Sequence, residues 1–376
     1  MPIRILHTIT SLETGGAETM LYRLVKAMDC RNFNHVVLSL GKEGKVGEKI
    51  VQAGIQVYSL ELQYYKPNPK ILWDLHRILR GFCPHIIQGW MYHGNLLGQW
   101  AGKWAGIPVI WNIRQSLGTL SEEKYLTSFL IRIGAVLSYM PSQIIYNAFC
   151  SALDHEAIGY KKEKRLVLPN GFDTEIFCPS YSARKRIREE LHIPQEAFLV
   201  GLIARYHPVK DHRTFFEAAN AFSQKYSDVH FLLAGKDIHK KNQEIQSLLA
   251  NFQNTGRLHL LGERDDTAKI TAALDIATCC SKSEALANTV GEAMSCAVPC
   301  VVTDVGDLRI LVGETGLVIE KENKDALSQA WEKIYCMSQE EKKRLGQKAR
   351  ERILSDYSLS KCIQRYSALY QEKSLL

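Results

Sequence analysis

Three short stretches of the 376-residue chain combine residue types that can hold a phosphorylated ligand. The first is Ser283-Glu284-Ala285-Leu286-Ala287-Asn288-Thr289-Val290-Gly291-Glu292, two carboxylates with seven residues between them, placed after a strand-like run. On one continuous helix, eight positions rotate such a pair by ~80° and separate it by ~12 Å. A more useful geometry puts Glu284 before a helix, Asn288 at its N-cap and Glu292 about one turn in. The amides at Ala287, Asn288 and Thr289 then make an anion site. A carboxylate on either side would repel a diphosphate unless each meets a hydroxyl, which describes a ligand with phosphates in the middle and a sugar at each end. Two surface glutamates beside a capped terminus are the plainer alternative.

The second stretch is Ala204-Arg205-Tyr206-His207-Pro208-Val209-Lys210-Asp211. Arg205 ends a strand, Pro208 bars a helix there, and Asp211 can cap the helix that follows. Both cations sit on a loop at a strand's carboxyl end, where α/β sheets bind ligands, and each charge-assisted bond to a phosphate contributes ~1.5–3 kcal/mol net. An exposed basic loop is the competing reading. The third stretch, Leu12-Glu13-Thr14-Gly15-Gly16-Ala17-Glu18, opens the first helix with paired glycines that let a ligand approach the backbone. It lacks the G-x-G-x-x-G spacing of a dinucleotide turn, which disfavours a NAD-dependent dehydrogenase.

These stretches must be positioned by the elements around them. Short β-branched runs at 3–9, 35–40, 56–60, 85–90, 109–113, 143–146 and 166–168 alternate with helical patterns such as 17–28 and 95–105. The alternation pauses around Pro169-Asn170-Gly171-Phe172-Asp173 and a charged helix at 183–191. It then resumes with strands at 199–205, 229–234, 258–261, 276–280, 300–303 and 316–319. Buried strands alternating with helices specify parallel βαβ units covered on both faces. The expected architecture is α/β with two doubly wound, Rossmann-like domains, 1–175 and 176–355, facing each other across a cleft. A closing helix in 356–376 is expected to cross back to the first domain through Tyr366 and Tyr370, four residues apart.

Composition agrees with real cores: apolar residues make up 46% of the chain and charged residues 23%, which excludes disordered and disulfide-knot classes. The net charge of +7 resides in the first half, since residues 1–170 carry 19 basic and 12 acidic side chains while the remainder balances. That asymmetry suits an anionic partner or merely a basic surface. The start of the chain has no signal-peptide pattern, no run reaches the ~18–20 apolar residues of a spanning helix, and ten scattered cysteines read as reduced thiols. The expected location is cytoplasmic. The apolar stretch from Lys124 to Met140 permits a peripheral contact with the inner-membrane surface, or else packs as an ordinary helix. Asp265-Asp266 reads as a solvated loop rather than a metal site, and no nucleic-acid partner is expected.

In this order, Gly15-Gly16-Ala17-Glu18, Leu168-Pro169-Asn170-Gly171-Phe172-Asp173, Arg205-x4-Lys210 and Glu284-x7-Glu292 resemble the retaining glycosyltransferases of family 4, with their GT-B fold, and the resemblance spans nearly the whole chain. It implies a hexose-type transfer from a UDP- or GDP-sugar to a glycan acceptor, lipid-linked, in surface polysaccharide or lipopolysaccharide synthesis. It implies that Arg205 and Lys210 bind the diphosphate, Glu284 the donor hexose and Glu292 the ribose. Ala287, Asn288 and Thr289 would complete the phosphate site, with Gly15, Gly16 and Asn170 also on the donor. No metal or other cofactor is implied, and the leaving phosphate would itself take the acceptor's proton. Where many members have a histidine this chain has Asn112-Ile113-Arg114-Gln115, so Arg114, together with His93 after the fourth strand, is the acceptor-side candidate; His93 is also a catalytic candidate. A nucleotide-sugar epimerase of the same fold, and a non-catalytic sugar-nucleotide-binding partner of another transferase, are the competing functions.

Overall fold

The computed structural model describes residues 1–62, 70–118 and 125–375. Its chain divides into two compact units, Met1–Gly171 with Ser360–Leu376, and Phe172–Leu359. Lys124, the first residue of the expected apolar stretch, lies outside the described residues.

In the first unit the strands are β1 (Ile3–Ile9), β2 (Phe33–Ser39), β3 (Gln56–Ser59), β4 (Ile86–Trp90), β5 (Val109–Ile113), β6 (Gln143–Tyr146) and β7 (Arg165–Val167). All described pairs are parallel, in the order β3-β2-β1-β4-β5-β6-β7. Alternate strand residues feed two cores, as the two-residue period requires. Ile5, Ile9, Ile86 and Ile110 pack with Leu21 and Leu24 of the first helix and with Tyr366 and Tyr370. Leu6, Ile87, Trp111 and Ile144 pack on the opposite face with Leu75, Ala101 and Ile131. The closing helix, Leu359–Lys373, therefore belongs to one specific face of this sheet. Tyr366 accepts hydrogen bonds from Asn112 at 2.9 Å and Arg114 at 3.1 Å, and Tyr370 donates to Gln88.

The second unit repeats the pattern with β8 (Phe198–Ile203), β9 (Val229–Ala234), β10 (Leu258–Leu260), β11 (Ile276–Cys279), β12 (Cys300–Thr303) and β13 (Gly316–Ile319). Their order, β10-β9-β8-β11-β12-β13, also winds outward from a central strand and then returns to start the other half. The sheet order thus reverses between β1 and β4 in one unit and between β8 and β11 in the other. One face of the second sheet is filled by Phe215, Phe222, Phe231 and Trp331, and the Trp331 indole donates to Thr278 at 3.0 Å.

The units divide at 171/172 and 359/360 rather than at the expected 175/176 and 355/356. Phe172 explains the shift. Its ring is fully buried over Gly291, where an added Cβ would lie 2.1 Å from it. Its amide donates to Tyr357 at 2.9 Å, and its carbonyl accepts from Leu359 at 2.8 Å. Arg350 adds bonds to the carbonyls of Thr174, Phe177 and Ser295, so the residues after Phe172 are tied into the second unit.

Two outcomes follow from this packing. Gly291→Ala should lower stability by about 1–3 kcal/mol through overpacking, and Phe172→Leu in the same chain should restore part of it; equal denaturation midpoints for native and Gly291→Ala protein would contradict the contact. Burial lowers His35, His155 and His212 to about 4 each, while an unfolded chain protonates them near 6.5. The unfolded state therefore binds the extra protons between those values, so stability is full above about pH 6.5 and declines as the pH falls toward 4. Urea midpoints at pH 7, 6 and 5 should decrease in that order.

Candidate functional site

Ligands in open parallel sheets bind at the carboxyl ends of the strands where the order reverses. In the second unit that place is the ends of β8 and β11, and the two motifs singled out in the sequence lie there. Arg205 follows β8 by two residues and is exposed. Pro208–Lys210 forms a single 3-10 turn, and Asp211, at φ +50°, accepts from the Thr214 amide at 3.4 Å and its hydroxyl at 2.6 Å to cap the helix His212–Lys225. The end of β11 is sewn to this turn, since the Lys282 amide donates to Val209 at 2.8 Å and the Cys280 thiol to Asp211 at 3.3 Å.

The turn delivers the Lys210 ammonium onto Oε1 of Glu284, and the Ser281 hydroxyl donates to the same oxygen at 2.7 Å. Thr303, at the end of β12, donates to the Ser281 carbonyl at 2.7 Å. The side chains of Lys210 and Glu284 are only 27% and 12% exposed, so this pair is largely out of water. Burial works against the Lys210 charge, but the Glu284 carboxylate more than offsets it and the ammonium holds its proton more tightly than usual. His207 on the same turn is pushed the other way, by burial and by the Arg205 and Lys210 cations, and is neutral at pH 7.

Beyond Glu284 the chain runs through buried Ala285, Leu286 and Ala287 into the helix Asn288–Ser295. Ala287 is the N-cap, with Asn288 already in the first helical position; the expected Asn288 cap is therefore corrected by one residue. Ala287 keeps an extended backbone at φ −76° and ψ 115°, and its methyl cannot accept a hydrogen bond. The N-cap residue therefore makes no side-chain cap bond at this terminus, which carries the partial positive charge of a helix start. Thr289 lies in the same first turn, and Glu292 is half-buried one turn in. Gly306 fixes the loop from the other side. At φ +55° its α-carbon passes so close to the Glu284 carbonyl that a Cβ would lie 2.1 Å from the oxygen, and the next amide, Asp307, donates to Ala285 at 3.0 Å. Arg205, Lys210, Glu284, Ala287, Asn288, Thr289 and Glu292 are thus all in the second unit, on loops or a helix start following β8 and β11.

Sequence reasoning missed Ser281 and Thr303. The signal for Ser281 was present as Ser281-x-x-Glu284, the Ser-x-x-Glu spacing that brings the two side chains close in capping boxes; Thr303 had no local signal. Asp266 is held by Arg264 through contacts of 2.8 Å, and the same guanidinium pairs with Glu190.

The remaining candidates belong to the first unit. Gly15 is the extended N-cap of the helix Gly16–Ala27, again without a side-chain cap. Glu18 folds back over it, and burial raises the Glu18 carboxyl above its ordinary range. His93 lies in the first turn of the helix Met91–Ala105, which starts directly from β4 with Met91 at φ +59°. Burial lowers His93, so the ring is neutral at pH 7. Arg114 is half-buried. Its guanidinium bonds Asn112 at 3.0 Å, Tyr366 and the side-chain oxygen of Asn170, and it holds the closing helix. Below it, the Trp90 indole donates to His7 and His7 to His35, at 3.1 and 3.0 Å, a relay that needs both rings neutral.

With this geometry in hand, comparison with known proteins is informative. Residues 15–171 match the family model described as a glycosyl transferase 4-like domain, and residues 197–336 match glycosyl transferases group 1. The chain is similar to an N,N'-diacetylbacillosaminyl-diphospho-undecaprenol alpha-1,3-N-acetylgalactosaminyltransferase of Campylobacter jejuni, with 26% identity over 375 residues, covering 96% of this chain and 97% of that one. It is also similar to a UDP-Gal:alpha-D-GlcNAc-diphosphoundecaprenol alpha-1,3-galactosyltransferase of Escherichia coli, at 22% identity over 80% of this chain and 79% of the other. Among solved structures, HepE of Anabaena in complex with UDP superposes with a TM-score of 0.86 at 20% identity, covering 99% and 100% of the two chains.

The Glu284 loop supplies its own test. Gly306→Ala and Gly262→Ala both place a methyl at positive φ, +55° and +67°, but the former would overlap the Glu284 carbonyl oxygen at 2.1 Å whereas the latter only touches the Ile238 carbonyl oxygen at 3.9 Å. Gly262→Ala should cost about 1–2 kcal/mol, and Gly306→Ala distinctly more. Equal losses by chemical denaturation would mean that the loop after β12 does not brace Glu284.

Proposed function

Since the chain belongs to the glycosyltransferases of family 4, we propose that it transfers a hexose-type sugar, with retention at the anomeric carbon, from a nucleotide-diphospho-sugar to a lipid-linked saccharide in surface polysaccharide or lipopolysaccharide synthesis. The observation that carries this is the cluster at the β8/β11 reversal: two cations, a helix start with no side-chain cap, and a carboxylate held beside them. Uridine is the base we favour, supported by the relative that uses UDP-Gal and the fold relative solved with UDP.

Arg205, Lys210 and the amides at Ala287, Asn288 and Thr289 receive the diphosphate. Lys210 has three N–H donors, so it can keep Glu284 and still reach a phosphate oxygen. Glu284 accepts from hexose hydroxyls, and Glu292 from the ribose. Within the first unit, Gly15, Gly16 and Asn170 are assigned to donor binding, and His93 to the acceptor or the reacting sugar. In the transfer the bond from the anomeric carbon to the diphosphate oxygen breaks, and the bond to the acceptor oxygen forms on the same face. The acceptor's proton passes to the departing diphosphate, so no side-chain base is required. The work left to the protein is alignment and stabilisation of charge on the leaving group, which the fixed cations and helix start supply in place of a metal ion. The reaction belongs on the cytoplasmic side of the membrane.

UDP at about 100 times its dissociation constant should stabilise the protein by ~2.7 kcal/mol, and Arg205→Ala/Lys210→Ala should abolish that gain and lower transfer roughly 100-fold or more. UDP should be released from the donor only when acceptor is present, and transfer should persist in a chelator. A melting shift with NAD alone, or an undiminished UDP shift in the double variant, would overturn the proposal. Activity lost to chelation and restored by magnesium would overturn its metal-free form.

A further inference from the structure

The six tryptophans fall into two classes. Trp90, Trp111 and Trp331 are fully buried, whereas Trp73, Trp100 and Trp104 are 60%, 45% and 50% exposed. All three exposed ones lie in one layer of the first unit, formed by the helices Lys70–Phe82, Met91–Ala105, Tyr125–Leu137 and Phe149–Ala157. This layer packs on the sheet through Leu75, Ala101, Ile131 and Ala152, on the face opposite the closing helix. Among the described residues, eleven of the eighteen exposed large apolar side chains lie between Leu72 and Leu153, so exposure is concentrated here rather than scattered. The patch bridges the helices Lys70–Phe82 and Met91–Ala105, with Trp100 stacked on Trp104 at 5.7 Å and His76 against Trp104 at 5.1 Å. The helix Tyr125–Leu137 turns Ile131, Gly134 and Ala135 inward and leaves Leu126, Phe129 and Val136 in solvent. It therefore does both things the sequence allowed, packing on the sheet and presenting an apolar outer face.

Among the described residues of these four helices, the exposed charges have one sign. Arg77, Arg80, Lys103 and Arg132 are exposed. The described acidic side chains of the four helices are not: Asp74 is mostly covered and pairs with Arg77 at 3.4 Å, Asp154 accepts from the Leu117 amide, and Glu156 pairs with Arg165. Tryptophans on an apolar face, with cations and no exposed carboxylate among the described residues of these helices, match the boundary between anionic headgroups and acyl chains. A second copy of the same face would oppose like charges.

We propose that this helical layer is a membrane-docking surface that rests on an anionic bilayer, with Trp73, Trp100, Trp104 and Phe129 entering the interface. It deepens the reading given above and rests on the acceptor being lipid-linked, because docking by the first unit keeps the enzyme at the surface where such an acceptor lies.

The buried tryptophans make the test direct. The native protein is mixed with vesicles of phosphatidylcholine containing about one third phosphatidylglycerol, with and without brominated acyl chains. Brominated lipid should quench part of the tryptophan emission, and binding should weaken in pure phosphatidylcholine. Trp100→Ser/Trp104→Ser should lower vesicle partition at least ~10-fold, and so should Arg80→Glu/Lys103→Glu/Arg132→Glu, which alters exposed cations and leaves the Arg77–Asp74 pair in place; thermal midpoints show that each variant is folded. Absence of quenching, or partition unchanged in both folded variants, would overturn the proposal. So would a native dimer that Trp100→Ser/Trp104→Ser dissociates, which would assign the face to a second copy. Transfer to a water-soluble, short-chain acceptor by native protein and variants alike separates the two readings: retained transfer without vesicle binding sinks the surface alone, and vesicle binding without any transfer sinks the function alone.

Discussion

An ammonium and a carboxylate sharing a place mostly out of water are the constraint around which the second unit is arranged. Neither Lys210 nor Glu284 is cheap to bury singly, and each makes the other tolerable. The neighbouring structure serves that pair. Ser281 donates a second hydrogen bond to the carboxylate, Thr303 holds the backbone of Ser281, and the Val209 carbonyl ties the lysine's turn to the end of β11. Because these groups come from the ends of adjacent strands, the parallel sheet itself sets their spacing. The pair also moderates the site's charge: with Lys210 engaged by Glu284 and His207 neutral, Arg205 is the exposed cation on this turn. An anion arriving here meets a balanced network rather than a concentrated positive field.

The two units share a strand order but use the reversal differently. In the second, the loops there carry opposite charges in contact. In the first, the corresponding strands β1 and β4, with the neighbouring β2, carry a buried, neutral relay of His7, Trp90 and His35. The charge of Arg114 is spent on Asn112, Tyr366 and Asn170.

Much of this was legible locally. β-branched runs located all the described strands to within a few residues, because a strand buried on both faces leaves a continuous apolar run. The places of Arg205 and Glu284 after strand ends, and of Glu292 one turn into the following helix, were legible too, since a strand end leading into a turn and helix is a short-range pattern. Helix starts were less so. The helix expected from 95 begins at Met91, because Gly94 and Asn95 resemble turn residues and Met91 enters through a left-handed backbone. Asn288 has the chemistry of a cap, yet Ala287 holds the extended conformation that the buried approach from Ala285 imposes. The spacing of Tyr366 and Tyr370 revealed a sticky helix face. Their partners Asn112 and Gln88, 254 and 282 residues away in sequence, are chosen by topology, which no local pattern encodes.

The bridge at Phe172 and Ser358 places the entry to and exit from the second unit side by side, joined by hydrogen bonds to Tyr357 and Leu359. Topologically, residues 172–359 are an insertion within the first unit, whose own chain resumes at Ser360. During synthesis the inserted unit has all its residues in hand before the first one does. Met1–Gly171 must wait through the making of 188 further residues for Tyr366 and Tyr370 to cover the Ile5, Ile86 and Ile110 face. The half that emerges first from the ribosome is thus the half that finishes folding last, with an apolar sheet face in need of protection meanwhile.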